Sequence, residues 1–121
     1  MATKIDKDLK IIKRTMSGVL QTDQAIKLVR DLSMAAKLQK GSNILLDLRG
    51  TVIGPEMIDL MAITSAFSTQ LSTFDDKIAF IITYAEGSFR FATLFKACLV
   101  AQGFAFNHFY DYNTAVEWLS K

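Results

Sequence analysis

The sequence predicts an α/β fold: a central, mainly parallel β-sheet opened by an antiparallel strand pair and joined by about four helices, in the order ββαβαβαβα. Three observations carry this reading. Continuous apolar runs, "NILLDL" (43–48) and "KIAFIIT" (77–83), suit strands buried on both faces of a parallel sheet. Between such runs lie stretches with apolar residues at three- and four-residue steps, the helical period. Strands alternating with helices in this way form parallel sheets with right-handed crossovers.

In chain order, "DLKIIK" (8–13) and "MSGVL" (16–20) read as two strands meeting near Arg14 and Thr15. Thr22 offers a hydroxyl cap and Asp23 a negative charge for the start of a first helix. Ala25, Leu28, Val29, Leu32 and Ala36 form its buried stripe, and the helix runs to about Lys40, where Gly41 can turn left-handed. After the strand 43–48, Arg49 and Gly50 read as a turn. Pro55 suits the first position of a second helix, with Glu56 in its first turn. Met57, Leu60, Met61, Phe67 and Leu71 are its expected inward face. Ser88 is the expected cap of a third helix over 89–102, closed by Gly103. "FAFNHFY" (104–110) is the last strand, with Phe104, Phe106, His108 and Tyr110 on one face. Asp111 or Asn113 caps a short final helix.

The 121 residues predict one domain, 1–121, large enough to bury roughly two-thirds of its unfolded surface. Half the residues are apolar and 21% are charged, a globular composition. The single cysteine, Cys98, leaves no internal disulfide and reads as a buried thiol. The charged start "MATKIDKDLK" does not read as a signal peptide, so none is expected, and no apolar stretch approaches the ~18 residues of a membrane span. A cytoplasmic setting is the expectation. Residues 1–40 carry nine Lys/Arg against four Asp/Glu, and 41–121 carry five against eight. The basic residues are spaced singly, as on a solvated face, so no nucleic-acid partner is expected.

Several chemistries lack their residues. There is no G-x-G-x-x-G, no G-x-x-x-x-G-K-[ST], no C-x-x-C and no G-x-S-x-G. His108 is the only histidine, which excludes a multi-histidine metal site. Ser88, His108 and Asp111 would need hydrogen-bond contact to act as a relay, and His108 sits inside a strand rather than at its end. Asp75 and Asp76 read as a polar turn. No catalytic residue, metal or cofactor is expected.

Together "SGVLQTD", "NILLDLRG", "KIAFII", "FRFATLF" and "FYDYNTAVEWL", with Ala115, Trp118 and Leu119 spaced A-x-x-W-L, resemble the SpoIIAA-like (STAS-like) family over residues 8–119. The resemblance implies a small cytoplasmic module of alternating β and α units without known catalysis. Relatives of that broad fold include anti-sigma-factor antagonists, regulatory domains of anion transporters and lipid-carrying domains. In the phosphoswitch antagonists a phosphorylated serine follows the corner that begins here at Asp47. This chain has "GPEM" (54–57) there, so Pro55 and Glu56 stand where serine is wanted, and Thr51 is the nearest hydroxyl. A glutamate at a helix start is also an ordinary stabiliser, worth ~0.3–1 kcal/mol.

Ligands of open α/β sheets sit outside the carboxyl ends of the strands. Arg49, Thr51, Tyr84, Ser88 and Arg90 fall at those ends and are the candidate binding residues, suited to an anion. The plainer account has Ser88 capping its helix, Arg49 paired with Asp47, Asp59 or Asp111, and Arg90 solvated. The third helix is apolar on more than one face, and Phe89, Phe91 and Phe95 are its candidate interface residues in a homo-oligomer, most simply a dimer. A core helix or an apolar pocket are the alternatives. The expected function is a non-enzymatic regulatory or protein-interaction module without the phosphorylatable serine. The alternative is a binder or carrier of a small apolar, amphipathic, lipid-like or anionic ligand. An enzyme acting on an anionic substrate through Arg49, Ser88 and Arg90 is the third option.

Overall fold

A computed structural model describes residues 4–6, 9–53 and 59–121. Its elements are β1 (Lys4–Asp6), β2 (Ile11–Val19), α1 (Thr22–Leu38), β3 (Asn43–Val52), α2 (Leu60–Gln70), β4 (Lys77–Ile81), α3 (Glu86–Ala101), β5 (Ala105–Phe109) and α4 (Tyr112–Leu119). The strands form one sheet in sequential order, β1-β2-β3-β4-β5. β1 runs antiparallel to β2, and every other pairing is parallel. The fold is therefore α/β with a mixed five-stranded sheet and four helices.

Sequential order has a direct consequence. Crossovers of one hand that always step the same way place their helices on the same face of the sheet. Ile12, Ile44, Leu46, Ile78, Phe80 and Phe106 accordingly pack with Leu28 and Leu32 of α1, Phe67 of α2 and Phe95 of α3 in one core. On the opposite face Ile11, Leu45, Ala79 and Ile81 are covered by Ala115 and Leu119 of α4. The far end of α4 is clipped down by side chains from the strand starts. Asn43 donates to the Leu119 carbonyl at 3.0 Å while its own carbonyl accepts the Lys77 N–H at 2.9 Å, and the Lys77 ammonium reaches the Trp118 carbonyl at 3.1 Å.

The first two strands differ from expectation. Residues 11–19 form one strand instead of two that meet at Arg14 and Thr15, and the antiparallel partner is the short β1. The reversal lies before Ile11, where Lys10 takes a left-handed φ of 54°. Nor does the chain turn at Arg49 and Gly50. β3 continues to Val52 through a bulge: Thr15 pairs with Asp47 and Ser17 with Gly50, so two steps on β2 match three on β3. Gly50 suits this close approach, since a Cβ there would lie 3.3 Å from the Met16 carbonyl oxygen.

Helix starts also moved. α1 is capped by a reciprocal pair between Gln21 and Gln24, and Thr22 instead accepts the Asp59 N–H at 2.8 Å. α2 begins at Leu60, with Asp59 extended and accepting from the Ala62 N–H. Pro55, Glu56 and Met57 lie outside the described residues. Met61, expected inward, is 72% exposed. α4 is capped by Asp111, which accepts from the Thr114 N–H at 2.8 Å. Among the described residues no helix is long and apolar enough to cross a membrane.

Candidate functional site

The carboxyl ends of the strands are staggered. β3 pairs with β4 only as far as Asp47–Ile81, whereas it follows β2 to Val19–Val52. The β2–β3 pair thus projects past β4 and β5. Beside this step, alternation along β3 puts Asp47 on the α4 side with Leu45. The same alternation puts Arg49 there too, and its guanidinium grips the Asp47 carboxylate through Nε at 3.0 Å and Nη2 at 2.8 Å. The Arg49 backbone N–H adds a third bond at 3.1 Å. Burial pushes the Asp47 carboxyl up. The hydrogen bonds from Arg49 and the charges of Arg49 and Lys13 outweigh that and hold it below its ordinary value. The Asp47 bonds raise the Arg49 guanidinium, and the charge of Asp111 adds to the effect.

Lys13 completes this corner. It lies on the α4 face beside Leu45, with its ammonium 4.5 Å from the centre of the Tyr112 ring. The α4 side of the strand ends therefore carries two cations, Lys13 and Arg49, interleaved with Asp47 and Asp111. Asp111 itself is lowered chiefly by the Thr114 backbone N–H it accepts, as fits its capping role.

On the other side of the strand ends the groups are aromatic. Tyr84, in the β4–α3 connection, is 81% exposed and stacks on Tyr110 with ring centres 4.1 Å apart and planes at 10°. Tyr110 stands edge-on to His108 at 6.3 Å, and His108 edge-on to Phe89 at 6.0 Å. A continuous aromatic strip thus descends from the rim along β5. The His108 Nδ1 is buried with no hydrogen-bond partner among the described residues. Burial, and then the charge of Lys96, lowers the imidazole.

The five expected binding residues do not converge. Arg49 is on the α4 side, whereas Ser88 and Arg90 are on α3, which packs on the opposite face. Ser88 is not the cap of α3: the helix begins at Glu86 behind Ala85, and Ser88 is buried. Arg90 is exposed and pairs with Glu86 at 2.9 Å, one turn earlier. Thr51 is in β3 rather than a turn. It is buried, and its hydroxyl donates to the Leu48 carbonyl at 2.6 Å. Only Arg49 and Tyr84 present themselves at the rim. Nor do Ser88, His108 and Asp111 form a relay, because Asp111 serves Thr114 and the His108 Nδ1 has no acceptor.

The expected interface residues divide similarly. Phe91 and Phe95 are 3% and 0% exposed and belong to the core, so they offer nothing to a partner; Phe89 is 48% exposed. Phe95 meets Phe67, Phe80, Phe91 and Phe106 at ring distances of 5.2 to 5.5 Å. The free space among Leu28, Leu46, Phe67, Phe80, Phe91 and Phe95 is about 20 Å³. That is room for about one water, and an apolar lining leaves such a space dry. A shallow groove of about 270 Å³ lies at the opposite end of the molecule, between Lys37 and Lys40 of α1 and the α2–β4 connection with Asp75 and Asp76. Burial, then the neighbouring Asp75, raises the Asp76 carboxyl.

The sequence reading named Asp47 as one possible partner of Arg49, and that is the partner found; it missed Lys13, Tyr110 and Tyr112 as site residues. Period-two alternation places Lys13 and Asp47 on the same face of neighbouring strands, and that was the available signal. The pairing of Tyr84 with Tyr110 had none, since it depends on how two connections leave the sheet. No family model, curated protein or solved structure matches the chain.

Proposed function

We propose that the chain is a non-enzymatic, SpoIIAA-like regulatory module that binds a protein partner through the rim at its strand ends and lacks the serine switch of the antagonists. The observation that carries this is the stack of exposed Tyr84 on half-buried Tyr110 at the same strand ends as the Arg49–Asp47 pair, on the other side of the sheet. Aromatic residues and arginine are enriched where proteins anchor one another. Here an aromatic plate and a charged corner flank one step in the sheet. The two hydroxyls expected at this edge are occupied or covered: Thr51 is bonded to its own strand and Ser88 is buried. The close-packed core favours this reading over carriage of a lipid-like guest, which would have to open the aromatic cluster around Phe95.

The test is affinity capture from the native cell with the wild-type chain and with Tyr84→Ala and Arg49→Ala variants as bait. A partner retained by wild type and lost by both folded variants supports the proposal. A partner retained equally by all three overturns the rim as the contact surface. Phosphate found on Thr51 in cells would overturn the absence of a switch.

A further inference from the structure

The outward faces of the four helices differ in kind. Exposed positions of α1 mix Asp23, Lys27, Arg30 and Lys37 with Met34 and Leu38; those of α2 are Ser65, Ser68 and Thr69 beside Met61; those of α4 are Asn113, Thr114 and Glu117. α3 instead exposes Phe89, Thr93, Leu94, Ala97, Val100 and Ala101; past the Glu86–Arg90 pair at its start the one charge beside this face is Lys96, half-buried at its flank and held by Asn107 at 3.2 Å. Leu94 and Val100 are 45% and 51% exposed. A helix apolar on both faces belongs between two layers, and the sheet supplies only one.

We propose that the outer face of α3 is a two-fold contact with a second copy of this chain, the two α3 helices packing antiparallel. Charge and size both point to a copy of itself. The last turn of α3 carries no basic residue to complement its dipole. The first turn presents Arg90, held only by an exposed pair with Glu86 that contributes little. Antiparallel packing sets each Arg90 against the other helix's C-terminus at Ala101 and Gln102, where a cation is favourable. The same register sets Leu94 over the partner's Ala97, a large residue on a small one, and a two-fold axis repeats both contacts.

The alternative self-contact, β5 to β5 across the open edge of the sheet, is blocked. Phe109 turns its carbonyl to Ile82, so its neighbour His108 turns its N–H to the open edge. The Asn107 side chain accepts that N–H at 2.9 Å and also holds Lys96 at 3.2 Å. An occupied donor and a lysine at mid-strand are the means by which edges avoid pairing. This inference stands apart from the rim reading, since no residue is shared.

Sedimentation and light scattering of the full chain test it, with Ala97→Glu as the disrupting variant. Wild type is expected to be a dimer. Ala97→Glu is expected to be a folded monomer, with self-affinity lowered more than ~100-fold by a charge buried at the axis. On a Cys98→Ser background, Arg90→Cys and Ala101→Cys chains are expected to form a disulfide when mixed and neither alone. A wild-type chain that is monomeric at ~1 mM, a dimer that survives Ala97→Glu, or either cysteine variant linking to itself as readily as in the mixture would overturn the proposal. If Ala97→Glu fails to fold, the cysteine mixture decides alone.

Discussion

Asp47 accepts three hydrogen bonds from one residue, Arg49: two from its guanidinium and one from its backbone N–H. Two residues on the same face of a bulged strand thus form a closed ring at the step in the sheet. The carboxylate is nearly buried while the arginine remains 44% exposed, so the pair is anchored at one end and open at the other.

Asp47→Asn keeps the shape and removes the charge. Charge-assisted bonds to a half-exposed partner suggest a loss of about 1–2 kcal/mol. The Asp47 carboxyl is depressed in the folded chain, so the unfolded chain binds its proton more readily. Its stabilisation is complete above the unfolded value near ~3.9 and is lost as the pH falls through the lower folded one. Urea unfolding at pH 7 and pH 3 checks both points: the variant is less stable at pH 7, and the difference narrows in acid.

His108 should act in a separate window. Its imidazole is lowered by burial, so protons favour the unfolded chain and stability falls as the pH drops below ~6.5. The charged groups to consider are Lys96, which opposes protonation, and no carboxylate is among the causes of the shift. His108→Phe is expected to flatten the slope of unfolding free energy between pH 7 and pH 5. A slope unchanged in that variant would assign it elsewhere.

Phe95 and Phe89 are predicted to separate cleanly. Phe95→Ala empties the centre of the aromatic cluster and should cost about 3–5 kcal/mol. Phe89→Ala removes a half-exposed ring and should cost under ~1 kcal/mol. Denaturant midpoints of the two variants decide whether α3's inward face is the one assigned here.

Asn43→Ala removes the Asn43 bond to the Leu119 carbonyl and the one it accepts from the Lys77 N–H, and leaves the Lys77 ammonium on Trp118. A loss of about 1–2 kcal/mol is expected, two ordinary hydrogen bonds. Amide exchange should show its main effect in residues 115–121, with α1 and α2 unaffected.

Much of the architecture was legible because each strand had its own apolar run and each helix its own period. Gly41 and Gly103 were readable as helix ends, and both adopt left-handed φ, 85° and 97°. What periodicity cannot supply is which of two apolar faces turns inward. α3 has both, and the wrong pair, Phe91 and Phe95, was assigned outward. Ala85 carries no oxygen to mark a helix start, so the hydroxyl of Ser88 was the nearest visible signal and it misled by three positions. Arg14 and Thr15 resembled a turn because charges are unusual inside a strand. Lys13 lies over Tyr112 and Arg14 reaches Asp31 at 3.5 Å, and neither contact is local in sequence. The candidate site was less legible than the fold, because it depends on how far each strand runs before the chain leaves the sheet.

One face of the sheet waits for the last helix. Since synthesis runs from the N-terminus, α1, α2 and α3 can each settle as they emerge from the ribosome, while Ile11, Leu45, Ala79 and Ile81 stay bare until residues 112–119 arrive. A chain without α4 would be sticky although its other face is packed, so loss of α4, more than damage at any surface loop, should send this protein to aggregates or proteases.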